Sequence, residues 1–118
     1  MVEAPIEGSQ NMVVVDVSRD FTRFPSGRFK KNGTTSGEGF RERFLEAPIR
    51  DGNTVEINLD GTVGYGSSFL EEAFGGLVRK LQLDADKVLA LLHIHSNDPS
   101  LVDEIVQYVK DADAERKR

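Results

Sequence analysis

The chain has 118 residues, a net charge of −5, no cysteine, and both charge signs interspersed along its length. That length suits one domain able to bury a core unaided, and the missing cysteines exclude a thiolate nucleophile, a cysteine zinc site, an iron–sulfur cluster and a disulfide scaffold. The acidic balance argues against broad nucleic-acid binding, and no apolar run approaches the roughly 20 residues that span a bilayer.

In chain order, residues 1–10 carry Pro, Gly, Ser and two Glu without periodicity and read as a loose tail. No basic segment followed by an apolar one opens the chain, so no membrane contact and a cytoplasmic location are expected. Asn11 to Arg19 is β-branched and reads as a buried strand. Phe21 to Thr35 holds Pro25, Gly27 and Gly33 and reads as a long loop or an edge hairpin, with Arg28-Phe29-Lys30 able to pair briefly as an edge strand. Arg19, Arg23, Arg28, Lys30 and Lys31 cluster there against Asp20 alone.

Thr35-Ser36-Gly37-Glu38 fits a capping box, with Thr35 as cap, ahead of the apolar stripe Phe40, Phe44 and Ala47. Pro48 closes this helix, and Arg50-Asp51-Gly52-Asn53 turns the chain. Val55, Ile57 and Leu59 alternate with polar residues in a half-buried strand. Ser67 or Ser68 opens a second helix, in which Phe69, Leu70, Ala73, Phe74, Leu77, Val78 and Leu81 recur at spacings of three and four. Gly75-Gly76 inside it invites close approach of another backbone, either within the fold or from a second copy in a homodimer. Val88 to Ile94 reads as a third strand. Asp98-Pro99 opens the last helix, with Leu101, Val102, Ile105, Val106 and Val109 inward. The domain spans residues 11–113, and a charged tail occupies 114–118. Strands alternating with helices predict an α/β fold with a mainly parallel sheet and helices packed on it.

The sharpest candidate for chemistry is Gly64-Tyr65-Gly66-Ser67-Ser68-Phe69, between a strand and a helix. It lacks the lysine of a P-loop and the second glycine of a nucleophile elbow, and no histidine is placed beside its serines. No catalytic set is complete, so no enzyme is expected. Two readings remain. Structurally, Ser67 caps the helix. Functionally, a hydroxyl at a helix start lies where the macrodipole favours negative charge, so a phosphate there would alter the surface a partner reads, partly opposed by Glu71 and Glu72. The alternative is a nucleotide- or anion-binding site made by Arg23, Arg28 and Lys30 beside the Gly-Ser-Ser turn. His93 and His95 share one face of a strand, but the local sequence offers no third ligand nearer than the distant Asp98, so neither metal nor cofactor is expected. Asp16 and Asp60, near strand ends, read as turn and edge residues rather than a carboxylate pair.

The run Asn58-Leu59-Asp60-Gly61, the run from Gly66 through Leu77, and the upstream Ser36-Gly37-Glu38 and Phe40-Arg41 resemble the bacterial STAS-like domain family of uncharacterised proteins. The likeness spans about residues 13 to 110. More distantly, the chain is similar to the STAS domains of anti-sigma-factor antagonists. The resemblance implies a single STAS-like domain with about four strands, acting as a regulatory protein-binding module. Its implied partner is an ATPase of the histidine-kinase-like or anti-sigma-factor type that is also a serine kinase. Ser67 and Ser68 match the two hydroxyl positions of the antagonists, and Ser68 falls at the phosphorylated one. Gly66 and Phe69 depart from the aspartate and glycine found there. Gly66, Phe69, Glu71 and Glu72 are the expected partner-binding residues.

Overall fold

β1 (Met12–Asp16) forms from a β-branched run and pairs in parallel with β2 (Thr54–Asn58), which pairs in parallel with β3 (Leu92–His95). The computed structural model describes residues 12–118, so the expected tail at 1–10 lies outside the described residues. Sheet order is β1-β2-β3, three strands rather than about four. The expected edge pairing of Arg28-Phe29-Lys30 is replaced by a loop that bonds to the start of the next helix. There Ser26 N donates to Thr35 O, and Gly37 N and Glu38 N donate to Gly27 O and Arg28 O at 2.9 and 3.0 Å. With its backbone satisfied this way, the segment ends in a single 3₁₀ turn, Lys30–Asn32.

The strand expected through Arg19 stops at Asp16, because Val17–Phe21 winds into a π-helical turn capped by the Asp16 carboxylate. α1 covers 37–50 and is capped by Ser36, whose hydroxyl accepts from Gly39 N at 3.0 Å, one residue after the expected Thr35. Glu38 therefore reaches outward to Lys30 N rather than back to a cap. α1 also runs through Pro48 to Arg50. A π-helical turn at Arg41–Leu45 resets the hydrogen-bond ladder, so Pro48 sits in the first turn of the segment that follows, where an amide donor would lack an ordinary intrahelical acceptor.

α2 covers 67–81 and carries its own π-helical turn at Glu71–Gly75. α3 (Ala85–Leu91) replaces most of the expected third strand. Asp84 caps it by accepting from Lys87 N at 2.9 Å, and the chain passes straight from helix into β3 at Leu92. α4 (Pro99–Arg116) is capped by Asp98 as expected, and it continues through most of the segment expected as a charged tail. Asp113, within it, ties α4 to the start of α3 through Ala85 N at 2.9 Å.

The helices cover one face of the sheet. Val15, Val55, Ile57 and Leu92 are buried beneath Phe40, Leu45, Phe69, Phe74, Leu77, Val88 and Ile105. On the opposite face Met12 and Val14 are 57% and 64% exposed, and no described residue covers them. Parallel sheets usually bury both faces, so a face left uncovered by the described residues is unusual.

The glycine pair in α2 is occupied within the fold. A Cβ at Gly75 would lie 3.3 Å from Tyr108 O of α4, and one at Gly76 would collide with the Arg41 guanidinium.

Candidate functional site

The loop leaving β2 builds the start of α2. Gly64, at φ +143°, takes a backbone conformation that side chains disfavour. The Tyr65 hydroxyl donates to Leu59 O at 2.8 Å, and its ring packs on Phe69 at 5.9 Å, which holds the loop against the core. Val63 N donates to Arg23 O at 2.9 Å and draws the basic loop alongside. Phe24 and Val63, on these two joined loops, are 60% and 67% exposed.

Gly66 is the N-cap in an extended conformation and offers no side chain to the helix amides. Ser67 and Ser68 are the first two helical residues, both exposed. The expected cap role of Ser67 is thus taken by Gly66, and the first amides of α2 have no intrahelical acceptor. The two serines differ in surroundings. Ser67 lies against Tyr108 of α4, whose phenol donates to Glu104 at 2.7 Å and is pushed above its ordinary pKa chiefly by that bond. A phosphate on Ser67 would face Glu104. Ser68 makes no side-chain hydrogen bond among the described residues.

Behind the helix start lies a charge network that sequence reading missed. Arg41 is 5% exposed. Its Nε donates to Glu46 Oε2 at 2.8 Å, and its Nη1 donates to both Glu72 Oε2 and Glu72 O at 2.7 Å. The π-helical turn explains the carbonyl, since Gly76 N bonds Glu71 O and leaves Glu72 O for the guanidinium. Arg28 joins at 2.6 Å from Glu71 and 3.2 Å from Glu72, and Arg79 reaches Glu71 at 2.6 Å. Burial would raise the Glu71 pKa, but Arg79 and Arg28 outweigh it and hold the carboxyl below its usual range. The signal in the sequence was Arg41 beside Phe40 on an apolar stripe, five residues before Glu46. That spacing suits a π-helical turn rather than an α-helix.

Residues 36–101, more than half of the chain, match the family described as a STAS-like domain of unknown function, DUF4325. The chain belongs to this family. No curated protein and no solved structure is matched. The matched span runs from the Ser36 cap into the first turn of α4, so it contains α1, α2, the serine pair and all of the charge network except Arg28. Membership points to a regulatory role in the general sense.

Within the STAS-like domain the expected partner-binding residues separate. Gly66 is exposed, whereas Phe69 lies in the core at 1% exposure, and Glu71 and Glu72 are held by arginines of the same chain. The expected anion site separates as well. Arg28 is held by Glu71, and Lys30 by Glu42 at 2.6 Å, which leaves Arg23 without a carboxylate partner among the described residues. Asp16 and Asp60 both brace loops: Asp16 accepts from Ser18 Oγ, and Asp60 accepts from Asn97 N at 3.0 Å.

Tyr65 offers a spectroscopic check on the loop. Burial pushes its phenol up to about 12. Because the fold favours the neutral form, this contribution to stability is whole below the unfolded value of about 10 and is lost as pH rises towards the folded one. The chain has 2 tyrosines, so Tyr108→Phe leaves Tyr65 as sole reporter. Its ultraviolet titration is expected to centre near 12. A midpoint at the free-phenol value of about 10 would mean an unburied ring.

Proposed function

We propose that this STAS-like domain is a regulatory protein-binding module, not an enzyme, that docks an ATPase or serine-kinase-type partner in the cytoplasm through the surface around the start of α2. Phosphorylation of Ser68 switches the contact. One observation carries the reading: Ser68 is exposed at the second position of a helix whose cap has no side chain. A phosphate there meets open amides and the positive end of the dipole, so it changes the surface without melting the helix. The exposed Phe24 and Val63 on the joined loops before α2 supply apolar contact, and Arg23 favours an acidic rim on the partner.

Intact-mass spectrometry of the protein from its own host, with fragment mapping, is expected to find phosphate on Ser68 in at least one growth state. Ser68→Glu and Ser68→Ala are then expected to differ about tenfold or more in affinity for the purified partner, roughly 1.4 kcal/mol. Equal binding by the two variants defeats the switch. The nucleotide- or anion-binding alternative is less well supported, since Arg28 and Lys30 already have carboxylates of their own.

A further inference from the structure

The open face of the sheet carries a set of side chains that neither the core nor the helix start uses. His93 and His95 are two residues apart on β3 and project from the same face. The parallel register sets Glu56 of β2 directly opposite His93, with His95 one diagonal step away. Tertiary pairing thus brings in the third ligand that the local sequence lacks. The Glu56 carboxylate lies between the two rings, with Oε2 at 2.9 Å from His93 Nδ1 and Oε1 at 2.5 Å from His95 Nε2.

We infer that Glu56, His93 and His95 form a binding site for one divalent transition-metal ion on the open face of the sheet. Two imidazoles and a carboxylate are a donor set suited to zinc, nickel or copper. Glu56 has no arginine or lysine partner among the described residues, so its charge is not already neutralised by a fixed cation. The three side chains are 26%, 46% and 60% exposed, which lets an ion reach them and leaves coordination positions open to water or a further ligand.

As the side chains stand, they bond one another, and no three His, Cys, Asp or Glu among the described residues surround a common point. Binding requires a rearrangement, because each ring now bonds a different oxygen of the one carboxylate. Metal–nitrogen and metal–oxygen bonds near 2.0–2.2 Å at about tetrahedral angles put neighbouring donors roughly 3 Å apart or slightly more. The His93–Glu56 pair already stands at 2.9 Å. His95, the most exposed of the three, swings on its own side-chain torsions, and no described residue of a facing layer blocks it. The ion then replaces the hydrogen bonds between the rings and the carboxylate.

Untagged, chelator-treated protein titrated calorimetrically with zinc chloride, and separately with nickel chloride, tests the site. One ion per chain is expected. His93→Ala, His95→Ala and Glu56→Gln are each expected to weaken binding about tenfold or more while circular dichroism stays unchanged, since all three positions face solvent. No heat at millimolar zinc or nickel overturns the site. Unchanged affinity in Glu56→Gln overturns it as a three-ligand site, and so does half an ion per chain with dimers in light scattering. None of these outcomes depends on Ser68 or on the docking surface.

Discussion

Arg41→Ala is expected to lower the unfolding free energy by about 3–5 kcal/mol, the range found when a buried ion pair loses one partner. The magnitude follows from what the guanidinium leaves behind. The Glu46 and Glu72 side chains are only 10% and 11% exposed, and the Glu72 carbonyl, freed by the π-helical turn, loses its donor. Gly76 adds to the loss, because it leaves a hollow shaped for the guanidinium that alanine does not fill. A domain of this size is stable by only about 5–15 kcal/mol in total, so the variant is expected to be near unfolding. Arg41→Lys is expected to recover only part of the loss, since one ammonium cannot reproduce a planar fork that serves Glu46 and Glu72 together. Urea denaturation at constant slope measures both. A shift below about 1 kcal/mol for Arg41→Ala would mean that the network adds little beyond an exposed ion pair.

Phe40→Ala is expected to cost about 3–5 kcal/mol, the usual penalty for emptying a fully buried aromatic site. Phe40 is 0% exposed. Its ring centroid lies 5.3 Å from Phe21 and Phe44, 5.9 Å from Phe69 and 6.4 Å from Phe74. These partners come from the turn after β1, from α1 itself and from α2, so one deletion loosens three elements at once. The site has little means of collapse, because a Cβ at Gly37, one turn earlier, would already collide with the Phe69 carbonyl. The two helices cannot move closer to close the void. The expected result is a fall in thermal midpoint of roughly 10–20 °C with increased binding of a hydrophobic dye. A loss under about 1 kcal/mol would show that the neighbouring rings refill the space.

Much of the fold was legible wherever a periodic pattern met a clear boundary residue. The stripes in α2 and α4, the alternation in β2 and the Asp98-Pro99 start all lie where their side chains predict. The errors occurred where the pattern was short. Val88 to Ile94 is apolar at nearly every position, and such a run carries no period to separate strand from helix. Asp84, four residues upstream, was the usable sign of a helix start. Pro48 misled because its effect depends on hydrogen-bond register, which the π-helical turn at Arg41–Leu45 had already shifted.

The candidate sites divide along the same line. Local sequence was enough to set the serine pair in the first turn of a helix, although it missed the cap itself by one residue at both α1 and α2. Contacts between distant segments were not readable in this way. Arg28 and Arg41 reach glutamates 43 and 31 residues away, and Glu56 meets His93 across 37 residues. None of these three separations has a period to betray it. Which charges are exposed and which are neutralised within the fold was therefore decided by the packing of α1 on α2 and the register of β2 on β3, since a side chain's partners are set by where the chain returns and not by its neighbours in sequence.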